Sequence, residues 1–205
     1  MGAIHTAKDF QRETGVDDVV LGHLQTYVAL LEKWQAKINL VGPKTLPDVW
    51  SRHIMDSAQV WPLLPDGTTR LVDFGSGAGF PGLVLAIMGV PQVTLVESDQ
   101  RKGAFLGEVI RATGCGATVL SERIEALEPW DADVVTARAL APLSKLLEYS
   151  VPFLQRGAKG IFLKGKNIEE EFADAKKLWH IIYTLNKSRV DDESWVVEIE
   201  EVHRV

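Results

Sequence analysis

A glycine-rich stretch, LVDFGSGAGFPG at residues 71–82, is the part of this chain best suited to hold a small molecule against backbone. It carries an acid at Asp73 and places Gly75, Gly77 and Gly79 at every second position. Glycines let ligand atoms approach the main chain, and a following helix offers free N–H groups. A tight turn without a ligand would use the same residue types, so the stretch alone leaves both interpretations open.

Two classes of cofactor fit this turn. Gly77, Gly79 and Gly82 match the G-x-G-x-x-G pattern of dinucleotide phosphate sites. However, Pro81 removes an N–H group where a pyrophosphate would need one. S-adenosylmethionine carries an ammonium and a sulfonium, which favour a nearby acid such as Asp73 over a phosphate cradle. The acid and the proline therefore favour S-adenosylmethionine.

Two more acids follow later apolar runs. Glu97 closes the run TLVE, and a carboxylate there can accept hydrogen bonds from both ribose hydroxyls of either cofactor. Glu125 lies in SERIEAL, at the position where an adenine would lie. Both acids belong to the predicted cofactor site.

The elements that must position these residues alternate between strand and helix from Arg70 onward. Nearly continuous apolar strands separated by helices predict a parallel sheet covered on both faces. Two strand-like runs with a short connection end the chain, and such strands must pair antiparallel. The predicted strands are 70–74, 92–97, 117–120, 132–137, 159–164, 181–188 and 195–205, and the predicted helices are 81–88, 99–112, 141–150 and 167–178.

Two helices are predicted before the first strand. Residues 17–38 place apolar side chains at steps of three and four, the pattern of an amphipathic helix. A second helix is predicted to start near Pro47, which suits a first helical turn, and to end before Pro62. We therefore expect an N-terminal helical extension over residues 1–66 and one compact domain over residues 67–205.

Composition narrows the possible functions. The 205 residues are 46% hydrophobic, enough for a sizeable core, and the net charge of −6 argues against a protein coated in positive charge for indiscriminate nucleic-acid binding. The chain lacks an apolar run of membrane-spanning length and a signal pattern, so we expect a cytoplasmic protein with no membrane partner. The five histidines show no metal-ligand spacing, and the single Cys115 excludes an intramolecular disulfide.

The chain resembles the RsmG (GidB) family of bacterial methyltransferases that act on small-subunit ribosomal RNA. The resemblance covers most of the chain, and the combination of Arg-His-x-x-Asp-Ser with Gly-x-Gly-x-Gly-x-Pro-Gly is its most specific part. In chain order, the matching segments are NLVGPKTLPDVWSRHIMDS (39–57), VDFGSGAGFPG (72–82), ESDQRKGAFL (97–106), SERIEAL (121–127), TARALAPL (136–143) and FLKGK (162–166).

This resemblance implies a fold, a reaction and a set of cofactor contacts. The fold is a Rossmann-like class I S-adenosylmethionine-dependent methyltransferase, with a mostly parallel seven-stranded sheet, an antiparallel C-terminal strand and an N-terminal helical appendage. The reaction is methylation of guanine N7 at position 527, in bacterial numbering, of 16S rRNA in the 30S subunit, by a protein that we expect to be a monomer. The cofactor contacts implied by motif match are Gly75, Phe80, Ile124, Glu125 and Arg138, in addition to Gly77 and Glu97.

The residues agree with a ring-nitrogen target. Methylation of an exocyclic amine needs an acceptor for its N–H, often in an Asn/Asp-Pro-Pro-aromatic stretch, but the fourth predicted strand is followed by ARALAPL. Methylation of pyrimidine C5 needs a nucleophilic cysteine, and Cys115 lies in a turn before the third predicted strand. Guanine N7 carries an in-plane lone pair and needs no deprotonation, so we name no general base and no catalytic residue.

Basic residues are predicted to hold the RNA. The carboxyl ends of parallel strands gather on one rim of a sheet, and basic side chains there can contact phosphates. Taken singly, each of these residues is better explained as an ordinary solvated charge or as part of an ion pair. The candidate RNA contacts are Arg101, Lys102, Arg123, Lys164 and Lys166, with Arg52 and His53 extending the rim from the second N-terminal helix.

Three other functional classes stay open. A small-molecule methyltransferase with a metal site would need acids after the fourth strand, whereas Asp131 and Asp133 lie before it and at its start. A dinucleotide-dependent oxidoreductase would need a substrate domain in addition. A non-catalytic binding module could use the same scaffold. A thermal shift with S-adenosylhomocysteine but not with NAD would exclude the oxidoreductase, and methyl transfer into 30S subunits would separate an RNA enzyme from the other classes.

Overall fold

The computed structural model describes residues 4–205, and a seven-stranded sheet lies at its centre. The strands are β1 (Arg70–Phe74), β2 (Gln92–Val96), β3 (Ala117–Leu120), β4 (Val134–Arg138), β5 (Lys159–Lys164), β6 (Trp179–Lys187) and β7 (Trp195–Arg204). Their order is β3-β2-β1-β4-β5-β7-β6, and β7 runs antiparallel to both of its neighbours while the remaining pairs are parallel. The predicted α/β class with an antiparallel C-terminal strand is confirmed.

Helices cover both faces of the sheet. Those after β1 follow the predicted alternation, whereas α1 was not predicted. Among residues 4–205, no helix combines the length and the apolar content needed to cross a membrane. The helices are α1 (Ala7–Thr14), α2 (Asp18–Gln35), α3 (Asp56–Ala58), α4 (Gly82–Met88), α5 (Gln100–Thr113), α6 (Leu143–Leu154) and α7 (Ile168–Ala175).

Two hydrophobic clusters lie on opposite faces of the sheet. Side chains alternate across a strand, so Leu71 of β1 packs into one cluster while its neighbour Val72 packs into the other. The first cluster includes apolar residues of α2, α4 and α5, and the second includes those of α6 and α7. Both faces are therefore dry, as a central parallel strand requires.

The N-terminal helices join the first of these clusters. The Trp34 indole of α2 donates to the carboxylate of Glu108 in α5 at 3.0 Å. The Tyr27 hydroxyl, also from α2, donates to the Ala78 carbonyl in the glycine-rich turn. Helix α2 thus contacts the turn directly; the division at residue 66 stays a prediction.

The prediction of one regular helix from Pro47 is wrong, because the structure has several short helical turns of different types there. A 3₁₀ turn (Leu46–Asp48) leads into a π-helical turn (Trp50–Met55) and then into α3, which ends before Pro62 as predicted. Pro62 itself lies in a separate 3₁₀ turn (Trp61–Leu63). The Asp56 N–H bonds to the carbonyl of Ser51, five residues back, which widens the helix. The Arg138 guanidinium donates to the Arg52 carbonyl at 3.2 Å within this widened turn. The π-helical turn is therefore accompanied by a hydrogen bond from a residue of the sheet, and a local sequence pattern does not predict such a distant contact.

The strand order changes direction between β1 and β4. The chain moves from β1 outward to β2 and β3, then crosses to the other side of β1 to form β4. Ligands of open α/β sheets bind at the carboxyl ends of the strands at such a switch point. The turn after β1 and the segment after β4 are therefore the expected ligand-binding region.

Candidate functional site

The glycine-rich turn after β1 uses backbone conformations that other residues disfavour. Gly75, Gly77 and Gly79 have φ of 63°, 57° and 102°. A Cβ at Gly75 would lie 2.5 Å from Cδ1 of Leu140, a residue just beyond β4. A side chain at this position would therefore collide with the segment after β4, so the turn needs glycine for space as well as for conformation.

The Glu97 carboxylate at the end of β2 is fixed beside this turn. Its Oε2 accepts from the Gly77 N–H at 2.8 Å, and its Oε1 accepts from the Asp99 N–H at 2.7 Å. Each carboxylate oxygen can accept more than one hydrogen bond, so lone pairs remain for a ligand. Both oxygens are thus oriented by backbone before any ligand arrives.

A cleft of about 380 Å³ opens in front of Glu97, and we call it the smaller cleft. Glu125 lies at its edge, where its Oε1 accepts from the Tyr149 hydroxyl at 2.7 Å, and this hydrogen bond is the main reason that the pKa of Glu125 is lowered. The cleft is lined by Gly75, Gly77, Val96, Glu97, Ser98, Lys102, Glu122, Arg123, Ile124, Glu125, Ala139, Leu140, Ala141 and Tyr149. The structure therefore brings five of the seven predicted cofactor residues together.

Asp73 lies beneath the turn and is completely buried. Its Oδ1 accepts from the Thr136 hydroxyl of β4 at 2.8 Å, whereas its Oδ2 has no hydrogen-bond partner among the residues that the structure describes. Burial raises the pKa of Asp73 to about 6, so the carboxyl is mostly ionised at neutral pH. A buried negative charge close to the turn favours a cationic ligand group over a phosphate.

The other two predicted cofactor residues, Phe80 and Arg138, lie outside the smaller cleft. The Phe80 ring is buried in a stack between the rings of Tyr27 and His53, with centroid distances of 5.3 and 5.0 Å. The Arg138 guanidinium lies 4.7 Å from the Phe80 ring centroid, in a cation–π arrangement. Only the backbone of Phe80 is left to face a ligand. The roles of Phe80 and Arg138 as cofactor contacts stay predictions.

Arg138 also ties the sheet to the widened N-terminal turn. Its Nη1 donates to Oδ2 of Asp56 at 2.9 Å, and its Nη2 lies 3.0 Å from Nδ1 of His53. The Arg138 and Asp56 side chains are only 18% and 17% exposed, which makes this ion pair largely inaccessible to water. Burial raises the pKa of Asp56, and the charge of Arg138 opposes that rise. Removing either partner would leave the other as an uncompensated buried charge.

The hydrogen bonds of His53 fix its tautomer. A guanidinium can only donate, so Nδ1 must accept from Arg138 and the proton of the neutral ring lies on Nε2. This Nε2–H donates to the Thr45 hydroxyl at 2.8 Å, and that hydroxyl donates to the Gly42 carbonyl. Burial, with the charges of Arg138 and Arg52, lowers the pKa of His53 to about 3. His53 is therefore neutral near pH 7 and hydrogen-bonded at both ring nitrogens, which disfavours a role as a proton carrier.

A larger cleft of about 890 Å³ lies on the other side of the segment after β4. Its lining includes His53 and Arg138, residues 139–142, Lys164 at the end of β5, and Trp195 at the start of β7. Residues 139–141 line both clefts. This segment is therefore shared by the two cavities, and we call it the wall between them.

The predicted RNA contacts are spread over both clefts and the surface between them. Lys102 and Arg123 line the smaller cleft, whereas Arg52, His53 and Lys164 line the larger one. The other two candidates, Arg101 and Lys166, are exposed, and Arg101 pairs with Asp99 at 3.6 Å. All seven stay predictions as RNA contacts.

Lys164 differs from the other candidates because its side chain is only 9% exposed. Its ammonium pairs with Glu171 of α7 at 2.5 Å and donates to the Ala141 carbonyl at 2.9 Å. Both interactions lie inside the protein, which a strand-end position in the sequence does not reveal.

Sequence reasoning missed several residues of this region. Thr136, Leu140, Tyr149 and Glu171 all contact predicted site residues, yet none belongs to a recognisable chemical pattern. For Thr136 and Leu140, the sequence signals are their place in the matching segment TARALAPL and their position around the end of β4 at the switch point. The remaining two lie on helices whose packing decides what they meet.

Cysteine or metal chemistry finds no support in the described part of the chain. Burial raises the pKa of the Cys115 thiol, which disfavours the nucleophilic thiolate. Cys115 also precedes β3 and therefore lies at the amino end of the sheet, opposite the clefts. Among residues 4–205, no group of three or more histidine, cysteine or acidic side chains is arranged to hold a metal ion.

Known proteins resemble this chain in sequence and in fold. The family model described as rRNA small subunit methyltransferase G matches residues 21–192. Proteins named ribosomal RNA small subunit methyltransferase G are 53% identical in Paramagnetospirillum magneticum, over 94% of each chain, and 49% identical in Rhodospirillum rubrum, over 97% of this chain and 99% of the relative. In fold, the chain is similar to a mutant of MtNAS solved in complex with S-adenosylmethionine, with a TM-score of 0.59 at 15% identity, covering 95% of this chain and 83% of that one.

Proposed function

Because this chain belongs to the rRNA small subunit methyltransferase G family, we propose that it transfers the methyl group of S-adenosylmethionine to N7 of guanine 527 in 16S rRNA. The chain is a methyltransferase that depends on S-adenosylmethionine, and its fold is that of the class I enzymes. The target atom, the assembled 30S particle as substrate, action as a monomer without a metal, and a cytoplasmic location are parts of the proposal.

The residues of the smaller cleft fit S-adenosylmethionine. Glu97 offers carboxylate lone pairs to the ribose hydroxyls. Gly77 leaves open space beside it, since a Cβ there would meet only the Gly75 carbonyl oxygen, at 3.8 Å. The unpartnered Oδ2 of Asp73 supplies a buried negative charge that suits the ammonium and sulfonium. Ile124 and Glu125 would hold the adenine at the far edge. When bound, the cofactor supplies an electrophilic methyl group.

The observation that carries the proposal is the shared wall between the two clefts. A methyltransferase must bring a small donor and a bulky acceptor together at one boundary, and residues 139–141 form such a boundary at the carboxyl ends of the strands. The larger cleft, at about 890 Å³, has room for a nucleotide turned out of its stack. Binding and orientation are then the main tasks of the protein.

The polar residues near the wall suit an acceptor that keeps its own lone pair. Guanine N7 loses no proton when it is methylated, so the site needs no general base. His53 is neutral and already committed through both ring nitrogens, and Arg138 is committed to Asp56 and His53. These groups can therefore shape the larger cleft without exchanging protons with the base.

Methyl transfer to purified particles tests the proposal. The protein would be incubated with labelled S-adenosylmethionine and with 30S subunits or free 16S rRNA from cells that lack this activity. Chemical cleavage at N7-methylguanosine then maps the modified position. We expect one labelled guanine, at position 527, and no label when that guanine is replaced. Label on an exocyclic amine, or none on either substrate, would refute the proposed target.

A further inference from the structure

The wall between the clefts contains a residue in an unfavourable conformation. Ala139 has φ of 53°, and it is the one residue other than glycine with a positive φ among residues 4–205. Residues with a Cβ persist in this region when their surroundings hold them there, and such positions concentrate at functional sites. The contacts that hold residues 139–142 in place are therefore candidates for a role in the reaction.

Two charged side chains hold the wall from the β5–α7 side. The Lys164 ammonium donates to the Ala141 carbonyl at 2.9 Å and pairs with Oε2 of Glu171 at 2.5 Å. The same Oε2 accepts from the Leu143 N–H at 2.6 Å, at the first residue of α6. An acid at a helix N-terminus is also favoured by the helix dipole. The segment between β4 and α6 is thus fixed at a carbonyl and at an N–H by one ion pair.

The opposite side of the wall packs against the glycine-rich turn. Leu140 fits so closely over Gly75 that a Cβ there would lie 2.5 Å from its Cδ1. A small shift of residues 139–141 would change the shape of both clefts at once, since these residues line both. The place where donor and acceptor meet therefore depends on how firmly this segment is held.

We propose that Lys164 and Glu171 are positioning residues that hold residues 139–142 as the wall between the clefts, and that they set the rate of methyl transfer in this way. The inference rests on the proposed function, because it takes the larger cleft as the place of the target base. It gives Lys164 a role different from attraction of RNA phosphates. Its ammonium is largely buried and already has two partners.

The test compares Lys164→Met and Glu171→Gln with a matched variant at the other end of β5. Lys159→Met breaks the Lys159–Glu198 pair, also 2.5 Å long, at the amino end of the strand and away from the wall. Four quantities would be measured for each protein: the single-turnover rate of particle methylation, the affinity for the 30S particle at several salt concentrations, the affinity for S-adenosylhomocysteine, and amide hydrogen exchange of residues 139–146 without ligand.

We expect Lys164→Met to slow methyl transfer by about tenfold to a hundredfold, the range that a small misplacement of reacting groups produces. Particle affinity and its salt dependence should stay as in the parent, while amide exchange in residues 139–146 should become faster. Glu171→Gln should do the same to a smaller degree, since an amide oxygen can still accept from the Leu143 N–H. Lys159→Met should alter neither the rate nor the exchange of this segment.

Three outcomes would overturn the inference. In the first, both wall variants keep the parental rate. In the second, Lys164→Met weakens particle binding and makes the salt slope shallower by about one phosphate contact, which would make Lys164 an RNA contact. In the third, Lys159→Met slows transfer as much as the wall variants, which would indicate a general loss of stability. If Lys164→Met does not fold, Glu171→Gln decides on the same readouts. Absence of particle methylation by the parent would refute the proposed function instead.

Discussion

Replacing Glu97 with alanine should weaken binding of S-adenosylmethionine about tenfold to a hundredfold. The Glu97 side chain holds its two oxygens on the N–H groups of Gly77 and Asp99, so it presents the remaining lone pairs to the cleft in one orientation. Hydrogen bonds to a charged group contribute about 1.5–3 kcal/mol, and about 1.4 kcal/mol corresponds to a tenfold change in affinity. The two backbone N–H groups left behind lie beside an open cleft where water can satisfy them, so the loss comes mainly from the ligand.

Glutamine at this position should not restore the affinity. The amide has one acceptor oxygen and one NH₂ group, whereas both Glu97 oxygens accept from backbone donors at 2.8 and 2.7 Å. One of the two N–H groups would then face another donor. Glu97→Gln is therefore expected to bind more weakly than the parent despite its similar shape.

Calorimetric titration with S-adenosylhomocysteine measures both effects, with thermal unfolding as a check on the fold. Glu122→Gln is the matched control, because Glu122 is one of the other carboxylates that line the smaller cleft and is exposed to solvent. It should change the affinity by less than about twofold, in line with a weak exposed charge. Parental affinity in a folded Glu97→Ala variant, or an equal loss in Glu122→Gln, would refute the assignment of the ribose to Glu97.

Three further predictions concern stability and protonation. Gly82→Ala should destabilise the fold by about 1–3 kcal/mol, because the new Cβ would lie 2.6 Å from Cβ of Asp73. Gly22→Ala in α2, where a Cβ would have no atom within 4 Å, should instead stabilise the fold by about 0.5–1 kcal/mol. Denaturant unfolding of the two variants and the parent measures both effects. The native state keeps the Asp73 proton to a higher pH than the unfolded chain does, so ionisation of this carboxyl should lower the stability of the fold as pH rises from 3.8 to about 6. Asp73→Asn should remove that part of the pH dependence of unfolding. An unchanged slope in the variant would contradict the raised pKa. The imidazole ¹⁵N shifts of His53 should stay constant between roughly pH 5 and 8, where an unperturbed histidine changes charge. A titration midpoint near 6.5 would contradict its assigned hydrogen bonds.

Local patterns in the sequence were sufficient for the sheet and for the cofactor turn. Apolar runs, glycine spacing and the acid that ends β2 are signals within a few residues, and the structure has these elements close to the predicted positions. In the cluster of His53, Asp56 and Arg138, Arg138 lies 82 to 85 positions from its two partners. His53 and Asp56 are three residues apart and belong to one motif, but no local pattern encodes their contact with Arg138.

The same reason explains the residues whose surroundings were not predicted. A lysine at the end of a strand can face solvent or an acid from a later helix, and for Lys164 only the position of Glu171 on α7 decides between them. The ring of Phe80 belongs to a motif that implies cofactor contact, but the rings of Tyr27 and His53 enclose it from the N-terminal side. The direction of a side chain thus depended on elements far away in the chain.

The packing of α2 on α5 has a consequence for synthesis on the ribosome. The Trp34 indole can form its hydrogen bond only after Glu108, 74 residues later in the chain, has been synthesised. At about 5–20 residues per second, that interval is about 4 to 15 s, during which the side of α2 that packs on α5 lacks this partner. We therefore expect that synonymous codons that slow translation between these two positions lower the yield of folded protein.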